Sequence, residues 1–153
     1  MQSTRTSRVV AAPPAAVYRA LLDPGAVAAW RVPEGMSSVV HVFEAREGGA
    51  FRVSLTYAAA DARGKSHDRT DTYAGRFVRL VPDALVVEEL AFESPDPAMR
   101  TPMTMTTTLA ATDGGTLVTV VHAGLPDAVP AADNELGTRM ALDNLARLVE
   151  TGG

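Results

Sequence analysis

The sequence predicts an α+β domain in which an antiparallel sheet curls around one long terminal helix. Three observations carry that prediction. β-prone runs with period-two alternation fill the middle of the chain. Glycine-bearing turns join those runs into pairs. A helical apolar stripe then occupies 131–149. Strands and one long helix must bury their apolar faces on each other, which gives two layers. A twisted sheet of seven strands offers a concave face larger than one helix can fill. The space left over is a candidate ligand cavity.

The elements follow in order. Thr4–Val10 reads as a first strand, ended by Pro13-Pro14, which suit the opening turn of a helix. Ala15–Leu22 continues as that helix, with Val17, Ala20 and Leu21 on one face, and Asp23-Pro24-Gly25 stops it. A second short helix is expected over Ala26–Trp30. Val39–Ala45 and Ala50–Tyr57 flank Arg46-Glu47-Gly48-Gly49 as a hairpin. In the second strand Phe51, Val53, Leu55 and Tyr57 alternate with Arg52, Ser54 and Thr56, so one face is covered. Ala58–Ser66 is a polar loop. Asp68–Leu80 pairs with Ala84–Phe92 around Val81-Pro82-Asp83. Pro102–Thr112 pairs with Thr116–Ala123 around Asp113-Gly114-Gly115, a strong hairpin signal. Ala131–Val149 closes the chain as a helix with Leu136, Met140, Leu142, Leu145, Leu148 and Val149 in its stripe. Gly137 inside it costs about 1 kcal/mol against alanine, a cost that close backbone approach would explain.

Composition narrows the function classes. The 153 residues fit one domain, 1–153, with no linker or repeat. There is no cysteine, which excludes disulfides, thiolate metal sites and Cys nucleophiles. Net charge is −4 with no basic run, so no nucleic-acid partner is expected. No stretch is long enough to span a bilayer, and Pro13-Pro14 interrupt the only N-terminal apolar run, so a soluble, cytoplasmic protein is expected. Gly64-Lys65-Ser66 ends like a phosphate loop, but Ala59 stands where that motif needs glycine. His41, His67 and His122 have no metal-ligand spacing, and no metal or cofactor is expected.

One ordered set of short motifs resembles a known family. Phe43-Glu44-Ala45-Arg46-Glu47-Gly48-Gly49-Ala50-Phe51 is similar to the acidic–x–Arg–x–Gly–Gly–x–Phe hairpin of the SRPBCC (START-like) superfamily. The nearest branch is that of the activator of the 90-kDa heat-shock-protein ATPase. Ala11–Tyr18, Trp30, Gly75-Arg76-Phe77 through Val81-Pro82 and Leu85-Val86 resemble further segments in order. So do Gly114-Gly115-Thr116, His122–Pro126, and Gly137 to Leu142 with Leu145. The resemblance implies a helix-grip fold: a seven-stranded curved antiparallel sheet around the C-terminal helix, with a deep apolar cavity between. Many members carry tryptophan after the helix glycine; this chain has Thr138. The superfamily includes lipid carriers, hormone receptors, polyketide aromatases and cyclases, and co-chaperones, so the fold supports a cavity and not one activity.

The first expectation is therefore binding of a small hydrophobic or amphipathic molecule. Its apolar walls are expected from Phe51, Val53, Leu55, Tyr57, Met103, Met105 and Met140, with Trp30. Polar orientation is expected from Tyr73, Glu89, His122 and Asn144. His122 lies in phase with Val118 and Val120, and Glu89 is read inward from its phase with Leu85 and Val87. An alternative is a polyketide aromatase- or cyclase-like enzyme with His122 or Glu89 as acid/base group. Another is a co-chaperone-like interaction domain, which predicts an exposed apolar patch on the outer sheet and a chaperone partner. Val39–Ala45 is an edge strand able to pair with a second copy.

Overall fold

The computed structural model describes residues 2–32, 35–57 and 70–151, apart from the side chains of Tyr57 and Thr151. The Ala58–Ser66 loop, the phosphate-loop-like Gly64-Lys65-Ser66 and His67 lie outside the described residues. The order is β1 (Gln2–Val10), α1 (Pro14–Leu21), α2 (Pro24–Trp30), β2 (Met36–Phe43), β3 (Ala50–Tyr57), β4 (Thr70–Val81), β5 (Leu85–Phe92), β6 (Met103–Thr112), β7 (Gly115–Leu125) and α3 (Ala131–Thr151). A single 3-10 turn, Pro97–Met99, lies between β5 and β6.

The strands form one antiparallel sheet ordered β1-β7-β6-β5-β4-β3-β2. Hairpin neighbours account for every pairing except β1 with β7. The two short helices carry the chain from β1 at one edge to β2 at the other. The expected α+β helix-grip architecture is thus present, with element ends shifted by a few residues.

Local chemistry sets the turns. Asp23 caps α2 by accepting from the Gly25 N–H at 2.9 Å, with Pro24 supplying a preset φ. In the β2–β3 turn, Gly48 takes φ +80°, and a Cβ on Gly49 would collide with the Glu44 carbonyl oxygen. Glu44 in turn accepts from the Ala50 N–H at 2.8 Å. Gly115 has φ +142° and lies against the Val10 carbonyl, where β7 turns beside β1. Trp30 Nε1 donates to the Ala20 carbonyl at 2.9 Å and ties α2 to α1.

The core sits where the second half of α3 meets α1, α2 and β1. Leu142, Leu145 and Ala146 are at most 1% exposed, beside Val10, Val17, Val27 and Val118. Burying a side chain of this size stabilises the fold by about 1.5–3 kcal/mol. Among the described residues no helix is long and apolar enough to cross a membrane.

Candidate functional site

The sheet continues past the end of that packed core, and α3 does not fill it. A cavity of about 820 Å³ lies between the concave face and the first half of α3. Its floor is Leu55 of β3, Tyr73 of β4, Leu90 of β5, Met103 and Met105 of β6, and Val120 and His122 of β7. Its roof is Gly137, Met140 and Ala141 of α3. Exposed Pro95, Asp96, Ala128, Pro130 and Leu136 mark its mouth. That volume suits a small organic molecule, and the walls are mostly apolar.

Strand alternation places these side chains. On β6, Met103, Met105 and Thr107 are buried; on β7, Val118, Val120 and His122 are. Both sets point to the concave side. Gly137 lines the same space.

A polar cluster is set into one apolar wall. Arg31, the residue after α2, reaches inward, and its Nη1 donates to Glu88 Oε1 at 2.6 Å. Its Nη2 donates to the Met105 sulfur at 3.0 Å. The guanidinium carbon lies 5.1 Å from the Tyr73 ring centroid and 6.0 Å from that of Phe51, a stacked cation–π arrangement. Glu88 is 3% exposed, so this is a buried ion pair. Asp71, also buried, lines the cavity from β4.

The cluster fixes protonation. Burial works against the Arg31 charge, but Glu88 beside it outweighs that, and the Arg31 pKa ends up raised. Burial raises the Tyr73 pKa, so its phenol stays neutral. Burial, assisted by the Arg31 charge, lowers the His122 pKa to about 4, so the imidazole is neutral at pH 7. Tyr73 Oη and His122 Nδ1 are enclosed and have no hydrogen-bond partner among the described residues. Besides Asp71, the wall therefore offers one permanent cation, already paired, and two neutral polar groups.

Comparison with known proteins fits this geometry. The family model for "Activator of Hsp90 ATPase homolog 1-like protein" matches residues 11–150. The chain belongs to the activator of Hsp90 ATPase homolog 1-like family. This family is a branch of the SRPBCC superfamily. A crystal structure of a protein from Chromobacterium violaceum is 36% identical, with a TM-score of 0.87, over 97% of this chain and 96% of that one. A Rhodobacter sphaeroides protein is 21% identical at a TM-score of 0.81, covering 99% and 93%. The solution structure of an AHSA1-like protein from Aeromonas hydrophila is 18% identical at 0.74, covering 99% and 94%. The latter two share the fold. No protein of curated function matches the chain.

Within this activator-homolog fold, the residues expected at the site divide clearly. Trp30, Leu55, Tyr73, Met103, Met105, His122 and Met140 all line the cavity. Phe51 and Val53 do not; they are buried in the core beneath it, where Phe51 packs edge-on against Tyr73. The Tyr57 side chain lies outside the described residues. Asn144 is not in the cavity either. Its amide donates to the Val32 carbonyl at 2.8 Å, and Arg147 donates to its Oδ1, so it fastens α3 to the end of α2.

Glu89 is the clear correction. It points to the outer face, where it pairs with Arg76 at 3.5 Å, while Glu88 points inward. Both phases of Leu85-Val86-Val87-Glu88-Glu89-Leu90 carry apolar residues, so alternation alone leaves the choice open. Buried Val86 and Leu90 show which face meets the core. Arg31 had no signal in the sequence. An arginine after a short helix reads as solvated, and its partner Glu88 is 57 positions away.

Proposed function

We propose that the domain binds a small hydrophobic or amphipathic molecule in the cavity between the concave sheet and α3. The observation that carries this reading is the cavity itself: apolar walls from five strands and a helix, with a polar cluster buried at one place. Burial of apolar ligand surface supplies affinity at about 25 cal/mol per Å² before the costs of association, and the few polar groups supply orientation. The mouth at Pro95–Asp96 and Ala128–Pro130 gives a route in.

A cyclase-like activity draws on His122 and Tyr73, which share the cavity. General base catalysis works best with a pKa near the operating pH, and His122 at about 4 is far below it. That favours binding over proton abstraction. An interaction role of the kind in the family's name calls for an outer apolar patch. The exposed Val39 and Val42 are on β2 and the exposed Val9 and Leu117 are on β1 and β7, at opposite ends of the sheet.

The experiment is native mass spectrometry and Trp30 fluorescence against fatty acids, flavonoids and polyketide-like aromatics. Binding should shift Trp30 emission and raise the melting temperature. Replacing Ala141 by tryptophan, which plugs the roof, should abolish both shifts. No shift with any class, or shifts that survive Ala141→Trp in a folded protein, would contradict the proposal.

A further inference from the structure

Arg31 makes an uneven set of bonds. One terminal nitrogen holds a carboxylate, the strongest acceptor available to it; the other is spent on the Met105 thioether, a weak one. Both groups lie in the cavity wall, and Met105 is an adaptable side chain. An oxygen acceptor brought by a ligand improves on sulfur at that nitrogen. Tyr73 Oη is buried in the same wall with no hydrogen-bond partner among the described residues, and a carbonyl oxygen has a second lone pair for it.

The charge of the wall decides what carries that oxygen. Arg31 is already neutralised by Glu88. A ligand carboxylate at Arg31 would be pressed against Glu88 in a dry environment, where like charges repel strongly. A ligand ammonium would meet the Arg31 guanidinium instead. A neutral acceptor meets neither penalty. We infer that the cavity selects uncharged molecules bearing a carbonyl oxygen, such as ketones or esters on an apolar body, with that oxygen accepting from Arg31 Nη2 in place of the Met105 sulfur. The inference rests on the binding reading above and names the ligand class for that site.

The test is a series of three probes with one chain length, titrated at neutral pH: 2-undecanone, undecanoate and undecylammonium. The ketone should bind roughly tenfold more tightly than either ion. Equal or tighter binding of an ion overturns the inference and leaves the cavity reading standing. No binding by any probe overturns both. The double replacement Arg31→Met/Glu88→Met removes the pair without leaving a lone buried charge, and it should remove the preference for the ketone. A preference that persists there overturns the inference. Met105→Leu keeps the ion pair and removes the sulfur, so it should leave the ketone preference intact and tighten ketone binding a few-fold. Weaker ketone binding or a lost preference in a folded Met105→Leu protein counts against the assignment.

Discussion

Beyond Leu142, which borders the cavity, α3 buries Leu145 and Ala146 completely, while Asp143, Arg147 and Leu148 stay exposed. From Asp133 to Ala141 the same helix roofs the cavity, and its side chains there are half-buried or exposed. One helix thus has a structural half and a half facing the cavity. The difference lies in what stands opposite. The later half carries the fully buried Leu145 and Ala146; the earlier half roofs the cavity and touches β1 where Thr4 Oγ1 donates to Asn134 Oδ1. Under the binding proposal, stability and binding are therefore carried by adjacent turns, and substitutions can separate them.

The largest expected effect concerns the polar wall and not the helix. Glu88→Ala leaves the Arg31 guanidinium buried without its carboxylate and should cost about 3–5 kcal/mol in urea unfolding. A cost under about 1 kcal/mol would show that the pair is solvated. Within α3, Leu145→Ala should cost about 2–5 kcal/mol, since it opens a void in a sealed core. Met140→Ala borders space that is already open, and it should cost about 1 kcal/mol or less while altering ligand affinity. Equal losses at the two positions would erase the contrast between the halves.

The pH dependence follows from His122. Its folded pKa, about 4, lies below the unfolded reference value of 6.5. Between those values the unfolded chain takes a proton that the folded chain refuses. His122 therefore costs no stability above about pH 6.5, and stability falls as pH drops towards 4, by an amount on the order of 3 kcal/mol. Denaturant titrations of the parent and His122→Phe between pH 4 and 7 should show a shallower slope in the variant; identical slopes would rule out a buried neutral imidazole. The smallest effect is expected at Gly137→Ala. It should raise stability by about 0.5–1 kcal/mol through helix propensity, read by urea unfolding.

Much of the frame was legible because local chemistry wrote it. Pro14 opened a helix, Asp23-Pro24-Gly25 marked its end, Asp113-Gly114-Gly115 turned a hairpin, and the β3 alternation marked a half-covered strand. Half the site was legible for the same reason: Met103, Met105 and His122 follow from strand phase once the concave face is known. The errors fell where phase was ambiguous or where a role depended on distant partners. Glu89 looked inward because both faces of β5 carry aliphatic residues. Asn144 was expected as a polar group of the cavity, yet its bonds run to the segment after α2.

The sequence by itself determined the strands, their hairpins, the long amphipathic helix and the excess of sheet over helix, because periodicity and turn residues act over a few positions. Only the tertiary structure decided that Arg31 meets Glu88 beside Tyr73 and His122. That meeting requires chain segments up to 91 positions apart to share one dry wall. No local pattern encodes it, because the energy that holds a buried charge in place exists only once the wall has closed around it.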